Sequence, residues 1–529
     1  MTSTSSPLLA LQTDVLVIGG GLAGTWAAVA AAREGCRVIL VDKGYCGTSG
    51  VTATAGPGHW WVPPQPQARA AAIDKRLSSA YGLADGRWMA RALETTWNSL
   101  PSIADYYAFP QDQHGVTQYR GPRGPEYMRG MRRLIEDHGV TILDHSPALQ
   151  LLRDANGTVA GANGWRRQAG GDWHIQAGAT VIASGGCAFL SRLLGSHTNT
   201  GDGYLMAAEA GAELSGMEFS NYYGIAAAGS TMSRSMIYTF GDYYNVSDRQ
   251  LPLQQGADFT QQLARALLEG PVYCRLNRVP QDIRRQLPSI QPNLMLPFDR
   301  HGIDPYHQRF PVTLHAEGTI RGVGGLRVID DDCQTTVPGL FAAGDAASRE
   351  PIAGATSGGG AQNSAWALSS GQWAGHGAAK LARGRGIPAG ALEGIGLSRR
   401  TTQPPEDSRA LIQRIQNEVH PLDKNLFRSG TQLSRSLQAL DGVWDQLRSA
   451  SSGVGENPLR ARELVAMAAT ARWCYHAAEQ RRESRGMHQR TDRTAQDPRY
   501  DAHLRIGGLD SLWLRQDPLP QPATQGAPA

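Results

Sequence analysis

Three glycines near the start of the chain have the spacing of a dinucleotide-binding turn. Gly19, Gly21 and Gly24 follow an apolar, β-rich run over residues 13–18 and precede an alanine-rich helical segment. A turn without side chains lets backbone N–H groups approach a pyrophosphate, whose charge is favoured at a helix N-terminus. Asp42 ends the next apolar run, where a carboxylate can accept a hydrogen bond from a ribose hydroxyl. Together these residues predict a β-α-β unit that binds a dinucleotide.

A later glycine-rich segment indicates which dinucleotide to expect. The strand-like run 339–343 ends on Gly344 and Asp345 and resembles the second flavin signature of two-motif flavoproteins, in which an acid reaches the ribityl chain. Enzymes that use NAD lack this second motif. With the stretches 200–203 and 354–360, the motifs predict FAD as the cofactor. The expected cofactor-binding residues are Gly19, Gly21, Gly24, Asp42, Lys43, Thr48, Ser49, Gly50, Gly185, Asp202, Gly344, Asp345 and Ser364.

The strand and helix patterns in the sequence around these motifs indicate an α/β fold. Apolar strand-like runs alternate with helical segments in the first part of the chain, and the pattern returns after about residue 321. The Tyr-, Pro- and Arg-rich stretch between these parts has little periodicity and is interpreted as an inserted domain. Leu, Ile and Val at three- and four-residue spacing predict helices near the C-terminus.

The expected architecture is a Rossmann-type FAD-binding domain with an inserted α+β capping domain and a C-terminal helical domain. The Pro- and Gln-rich end is interpreted as a loose tail. The expected domains are 1–220 and 321–390 for FAD binding, 221–320 for the cap, 400–505 for the helical domain and 506–529 for the tail.

Composition excludes several other classes of protein. The chain has 529 residues, 41% hydrophobic and 19% charged, which suits two or three packed domains and argues against disorder. Its formal charge of +4 is small and the arginines are dispersed, so we expect no nucleic-acid partner. Apolar runs stay shorter than the roughly 18 residues of a membrane span. The six cysteines form no C-x-x-C pair and no signal peptide is evident, so we expect no metal site and a cytoplasmic location.

Two further islands carry a resemblance to a known family. Residues 199–212 with Met217, Glu218 and Phe219 are similar to a T-G-D-G…M-E-F stretch, and residues 483–492 are similar to an E-S-R-G-x-H-x-R-x-D signature. Both stretches resemble the flavoproteins of fumarate reductase, succinate dehydrogenase, L-aspartate oxidase and adenylylsulfate reductase. The resemblance implies an FAD-dependent oxidoreductase that acts on a small molecule.

The substrate-binding positions depart from the pattern of that family. Tyr223 stands where dicarboxylate enzymes carry a histidine, and Ala257 stands where an arginine precedes an aspartate in the cap. A second arginine is expected in the loop after Asp345, yet none occurs between Arg349 and Arg383. Because a bidentate arginine is the usual partner of a carboxylate, we do not expect succinate or fumarate as substrates.

The attachment of the flavin is expected to differ from that in many membrane-bound members. The resemblance implies that those proteins bind the flavin covalently through a histidine in a short S-H-T-like loop. The matching stretch, 47–52, has Gly50 at that position. Noncovalent FAD is therefore expected.

Tyr223, His315 and Arg234 are the candidate catalytic residues. A tyrosine hydroxyl can hydrogen-bond a carbonyl or enolate oxygen. The predicted reaction is therefore hydride transfer between flavin N5 and a carbonyl-activated, non-dicarboxylate small molecule. His315 is either the counterpart of a family histidine near the substrate or a solvent-facing loop residue, and most tyrosines of the cap region can equally be packing residues.

Two other functions stay open at this point. One is a flavoprotein subunit that passes electrons to an iron–sulfur or ferredoxin-like partner, as the adenylylsulfate reductase resemblance implies. The other is a flavin-bound scaffold without turnover. An oligomer is also open, and the sequence does not identify the substrate, the reaction direction or the electron partner.

Overall fold

A computed structural model describes residues 8–519, with the exception of 113, 234, 257, 358, 397–407 and 450–457. Arg234 and Ala257 lie outside the described residues. None of the helices within the described ranges is long and apolar enough to cross a membrane.

The strands contribute to three sheets. In chain order they are β1 (Leu9–Ile18), β2 (Val38–Val41), β3 (Thr141–Leu143), β4 (Ala148–Arg153), β5 (Val159–Trp165), β6 (Asp172–Ile182), β7 (Leu214–Ser215), β8 (Tyr222–Ala227), β9 (Asp242–Tyr244), β10 (Val272–Arg275), β11 (Phe310–Gly318), β12 (Gly325–Leu326), β13 (Leu340–Ala342), β14 (Glu393–Gly394), β15 (Ala502–Gly507) and β16 (Trp513–Pro518).

The helices cover the large sheet, contribute to the cap and dominate the C-terminal region. They are α1 (Leu22–Arg33), α2 (Pro66–Leu77), α3 (Gly86–Ser99), α4 (Gly124–Asp137), α5 (Asp202–Glu209), α6 (Phe259–Glu269), α7 (Gln281–Ile290), α8 (Pro292–His301), α9 (Glu350–Ala353), α10 (Gly360–Arg385), α11 (Ser408–Val419), α12 (Gly430–Ser449) and α13 (Pro458–Gln480).

The largest sheet positions the predicted cofactor residues. Its order is β14-β4-β5-β6-β1-β2-β3, with β13 paired to β6, and the β6-β1-β2-β3 portion and the β13 pairing are parallel. Strand β2 is buried along its whole length, as its uninterrupted Val-Ile-Leu-Val run indicates for a strand covered on both faces. The carboxyl ends of β1, β2, β6 and β13 meet at one edge, where ligands bind in sheets of this kind.

The cap is an antiparallel sheet of order β8-β11-β10-β9 with helices α6 to α8. It has its own hydrophobic core, to which Leu263, Phe298 and Phe310 contribute fully buried side chains. The α+β character predicted for the inserted segment is therefore present. Strands β8 and β11 join the cap to the rest of the molecule, and Tyr223 pairs with Ala316 in their register.

The end of the chain differs from the predicted loose tail. Strand β16 pairs along its length with β15 in a sheet of order β12-β7-β15-β16, so the prediction is wrong for residues 506–518. The Pro and Gln content that suggested a tail is compatible with an edge strand, where one side of the backbone needs no partner. The buried side chains of Leu504 and Ile506 fix β15 in this sheet.

Candidate active site

Two adjoining cavities lie at the edge where the parallel strands end. The glycine-side cavity, of about 690 Å³, is lined by Gly19, Gly21 and Asp42 among others. The cap-side cavity, of about 510 Å³, lies between the end of β13 and the cap. Ala183, directly after β6, lines both cavities, so they adjoin at this residue. Both volumes fall in the usual range of small-molecule sites.

The glycine turn after β1 leaves open space on one side and is tightly packed on the other. A Cβ atom on Gly21 would meet nothing nearer than the Cα of Gly50, 3.8 Å away. A Cβ atom on Gly24 would lie 1.7 Å from the carbonyl oxygen of Gly19. Gly24 therefore permits close packing of α1 on β1, whereas Gly21 leaves its side of the cavity free for a ligand.

Asp42 orders the same turn. Its carboxylate accepts hydrogen bonds from the backbone N–H of Gly20 at 2.6 Å, the N–H of Gly44 at 2.7 Å and the hydroxyl of Ser49 at 2.5 Å. A carboxylate has about four lone-pair directions, so capacity remains for one further donor. The residue lies in the cavity wall at the end of β2, the location that a ribose hydroxyl requires.

The Lys43 ammonium forms two ion pairs. It donates to Asp202 at 2.6 Å and to Glu463 at 3.1 Å, and also to the carbonyl oxygen of Thr198 at 2.6 Å. Burial would lower the pKa of Lys43, but Asp202 and Glu463 raise it overall. Lys43 thus joins the first domain to helix α13 at the rim of the glycine-side cavity.

The buried side chain of Arg349 links Asp345 to the turn 319–322, which follows β11. Arg349 forms an ion pair with Asp345, donates to the carbonyl oxygens of Thr319 at 2.8 Å and Ile320 at 3.2 Å, and donates also to that of Gly322. The hydroxyl of Tyr204 donates to the backbone carbonyl of Asp345 at 2.6 Å. The acid of the second motif and the turn after β11 are therefore fixed relative to each other.

The structure brings most of the predicted cofactor residues to the two cavities. Gly24 and Gly185 are not among the described residues that line them. Those that line the glycine-side cavity are Gly19, Gly21, Asp42, Lys43, Thr48, Ser49, Gly50 and Asp202. Those that line the cap-side cavity are Gly344, Asp345 and Ser364.

Tyr223 lies at the junction of the cap and the helical domain. It lines the cap-side cavity, but its hydroxyl donates to the backbone carbonyls of His420 at 2.9 Å and Pro421 at 3.2 Å. Burial raises the pKa of the Tyr223 hydroxyl. In this arrangement the hydroxyl proton is used to join two domains.

His315 lies on β11 outside the cap-side cavity lining found in the described chain. Its Nε2 is 3.0 Å from the carbonyl oxygen of Ser230. Neighbouring Leu314 does line the cavity, as expected when alternate residues of a strand face opposite sides. The side chain of His315 instead approaches His420, whose pKa is lowered to about 4 by burial and by His315.

Two of the residues that line the cap-side cavity lie outside the three catalytic candidates. Tyr222 and Arg321 face each other there, with the guanidinium carbon of Arg321 4.4 Å from the centre of the Tyr222 ring. The sequence holds one weak signal for Arg321, since it is a lone cation within the glycine-rich run 318–325. Only the return of β11 beside β8 brings the two side chains together.

The residues of both cavities fit FAD. The side-chain-free cradle at Gly21 is open, and helix α1 begins beside it without a side-chain cap on its first N–H groups. Such a helix start favours the negative charge of a pyrophosphate. The acids Asp42 and Asp345 lie one in each cavity, which suits a ribose at one end and a ribityl chain toward the other.

Comparison with known proteins shows which families and relatives the chain is similar to. Residues 14–235 match the FAD dependent oxidoreductase family, and residues 418–511 match the fumarate reductase flavoprotein C-terminal family. L-aspartate oxidase of Streptomyces coelicolor is 27% identical over 94% of this chain and 92% of its own length. One chain of the CoM/CoB fumarate reductase of Methanothermobacter marburgensis is 24% identical over 91% of this chain and 94% of its own length.

Solved structures share the fold over the whole length. The E. coli quinol fumarate reductase FrdA superposes with a TM-score of 0.82 at 20% identity, covering 98% of this chain and 99% of its own. Adenylylsulfate reductase of Archaeoglobus fulgidus gives 0.78 at 18% identity, with 97% of each chain covered. With the family matches at both ends and the two-cavity site, the chain is an FAD-dependent oxidoreductase that is similar to the flavoproteins of fumarate reductase and succinate dehydrogenase.

Proposed function

We propose that the protein transfers hydride between FAD and a carbonyl-activated small molecule that is not a dicarboxylate. The observation that carries this proposal is the lining of the cap-side cavity. Ala183, Gly344 and Asp345 form its flavin-domain wall, and Tyr222 and Arg321 stand on its cap side. Arg321 is its lone arginine among the residues that the structure describes.

Bound FAD supplies a hydride acceptor or donor at N5. The chain's own residues must hold the reacting carbon within about 3.5 Å of that position and move the accompanying proton. The Arg349 contacts keep the turn 319–322 in place, so Arg321 is held ready to orient a substrate oxygen. The apolar cap residues Met236, Phe259 and Leu314 line the same space.

Two adjacent tyrosines at the start of β8 are the alternative candidates for the proton-transfer role. Tyr223 is the candidate from its sequence position, and Tyr222 is the candidate from the cavity geometry. Because the Tyr223 hydroxyl already donates to two backbone carbonyls, we expect Tyr222→Phe to slow substrate-dependent flavin reduction more strongly. The expected loss is on the order of 10²–10⁴-fold, as for a positioned acid or base.

Stopped-flow reduction of the two single variants measures this difference. Both should keep FAD, because phenylalanine retains the ring in each position. A loss confined to Tyr223→Phe would return the proton-transfer role to Tyr223 and reject the assignment to Tyr222. Equal rates in both variants and the wild type would exclude both hydroxyls.

Anaerobic flavin reduction tests the proposed reaction itself. Ketones, saturated acids and amines are added to the purified holoprotein, and enones are added after chemical reduction, while the visible absorbance of the flavin is followed. At least one carbonyl compound should change the redox state of the flavin. Succinate should not, because a dianion would lose hydration without two arginine partners.

The second candidate function is a flavoprotein that exchanges electrons with an iron–sulfur partner. Similar proteins include several that are named as subunits of larger enzymes, which favours this alternative. No group of His, Cys, Asp or Glu suited to a metal occurs among the residues with described positions. If no small molecule bleaches the flavin but reduced ferredoxin does, this function replaces the first. Bleaching by succinate would contradict the substrate class.

A further inference from the structure

The guanidinium of Arg321 has unused binding capacity in the cap-side cavity. Its Nε–H group is buried and has no hydrogen-bond partner. The group lies against the face of the Tyr222 ring, with 4.4 Å between the guanidinium carbon and the ring centre. Stacking on an aromatic ring holds a guanidinium in place, and the Nε–H donor without a partner remains available to an oxygen ligand.

Hydrogen bonds from Arg349 hold the backbone on both sides of Arg321. Arg349 donates to the carbonyl oxygens of Thr319 and Ile320 on one side of Arg321, and to that of Gly322 on the other. Arg349 is itself 1% exposed and forms an ion pair with Asp345. A binding group on a turn that is already ordered loses little conformational freedom when its ligand arrives.

Two acids lie near Arg321, and the charge of Glu317 acts on its guanidinium. Asp345, on the flavin-domain wall, pairs with Arg349, and buried Glu317 accepts a hydrogen bond from Ser233 at 2.7 Å. Burial would lower the pKa of Arg321, but Tyr222 and Glu317 raise it overall, so the guanidinium stays charged.

The rest of the cap wall carries a group of apolar and aromatic side chains, with Ser233, Ser235, Thr239, Thr260 and Gln291 as polar neighbours. Ile225, Met236, Tyr238, Phe259 and Leu314 line it. An apolar ligand body gains free energy by leaving water for such a surface. A second negative charge on that body would meet no second arginine among the described lining residues.

We propose that the cap-side cavity binds a monocarboxylate with an apolar body, and that Arg321 is the residue that recognises its single carboxylate. This inference rests on the proposed function for the location of the substrate site. The described lining residues offer this carboxylate one guanidinium, whereas a dicarboxylate is expected to need a pair of arginines. The same carboxylate supplies the carbonyl group that the proposed reaction requires next to its reacting carbon.

Ligand binding to the oxidised holoprotein tests the inference without turnover. The probes are 3-phenylpropionate, its uncharged amide and phenylsuccinate, which adds a second carboxylate to a similar body. Isothermal titration calorimetry gives each Kd. The wild type should bind 3-phenylpropionate more tightly than either other probe. Arg321→Gln should weaken 3-phenylpropionate at least about 30-fold, as for truncation of a buried charge contact, and leave the amide nearly unchanged.

A matched control is available in the cap. Arg309 also stacks on a tyrosine, with its guanidinium carbon 4.2 Å from the Tyr244 ring centre, but it is not among the described residues lining the cavity. Arg309→Gln should keep the wild-type Kd. Arg321→Lys should fall between wild type and Arg321→Gln, because it keeps the charge but loses the planar donors. FAD content, measured for each variant, shows that the fold is intact.

Three results would overturn the inference. The first is that the wild type binds the acid and the amide equally. The second is that Arg321→Gln binds the acid as tightly as the wild type does. The third is that the wild type shows no saturable binding of the acid. Failure of the proposed function is distinct, since 3-phenylpropionate could bind with full Arg321 dependence while no compound changes the redox state of the flavin. The binding inference would then stand and hydride transfer would be rejected.

Discussion

Replacing Arg481 by methionine is expected to lower the free energy of unfolding by about 3–5 kcal/mol, as for removal of one partner from a buried ion pair. The guanidinium of Arg481 is 2.8 Å from Glu218 and 2.8 Å from Glu483, and all three side chains are fully buried. Glu483 keeps a second partner, Arg485, at 2.6 Å. Glu218 keeps no other ion pair within the described chain, so removing Arg481 would leave its buried carboxylate without a direct ionic partner.

Urea unfolding followed by circular dichroism measures the loss. Arg499→Met is the matched control, because Arg499 also pairs with an acid, Asp497, but is 84% exposed in its side chain. The control should leave stability nearly unchanged, because solvent screens an exposed ion pair. Adding Glu218→Gln to Arg481→Met should recover part of the loss. If the single Arg481 variant unfolds within about 0.5 kcal/mol of the wild type, the buried pair does not stabilise the junction between the two domains.

This pair explains why two distant sequence islands belong together. Glu218 lies in the M-E-F stretch and Arg481 lies just before the segment 483–492. The sequence indicated both islands through a family resemblance, but neither spacing nor composition shows that their charges meet in the core. The contact spans 263 residues, and only the folded chain brings the helical domain against the flavin domain.

More of the cofactor-binding residues than of the substrate-binding residues could be predicted from the sequence, and the reason is physical. Glycine turns and strand-end acids are local patterns, so Gly21, Asp42 and Asp345 were found from their neighbours in sequence. The hydroxyl of Tyr223 instead donates to carbonyls 197 and 198 positions away, and nothing near Tyr223 indicates this. The face of β11 also could not be assigned from sequence, and it directs Leu314 to the cavity and His315 away from it.

Replacing Gly21 by alanine is expected to leave the fold intact and remove most of the flavin. The φ of Gly21 is −77°, which alanine adopts readily, and the new methyl group would find no protein atom nearer than 3.8 Å. It would project into the space that we assign to the pyrophosphate. Overpacking of this size weakens FAD binding on the order of 10- to 100-fold.

Flavin absorbance per chain and thermal unfolding of the apoprotein separate binding from stability. Gly384→Ala is the control, because a Cβ there meets nothing within 4 Å and helix α10 tolerates alanine. It should keep full flavin. Gly24→Ala should instead destabilise the fold, since its Cβ would lie 1.7 Å from the Gly19 carbonyl oxygen. Wild-type FAD affinity in Gly21→Ala would show that the turn does not face the cofactor.

We expect the two cavities together to hold one FAD noncovalently, because Gly50 lines the glycine-side cavity where the family resemblance implies a flavin-linked histidine in other proteins. The most direct measurement is acid precipitation of the wild-type holoprotein, followed by identification and quantification of the flavin in the supernatant. We expect a colourless pellet and one released FAD per chain. A yellow pellet would contradict noncovalent binding, and a chain that takes up no FAD from an excess would contradict the site itself.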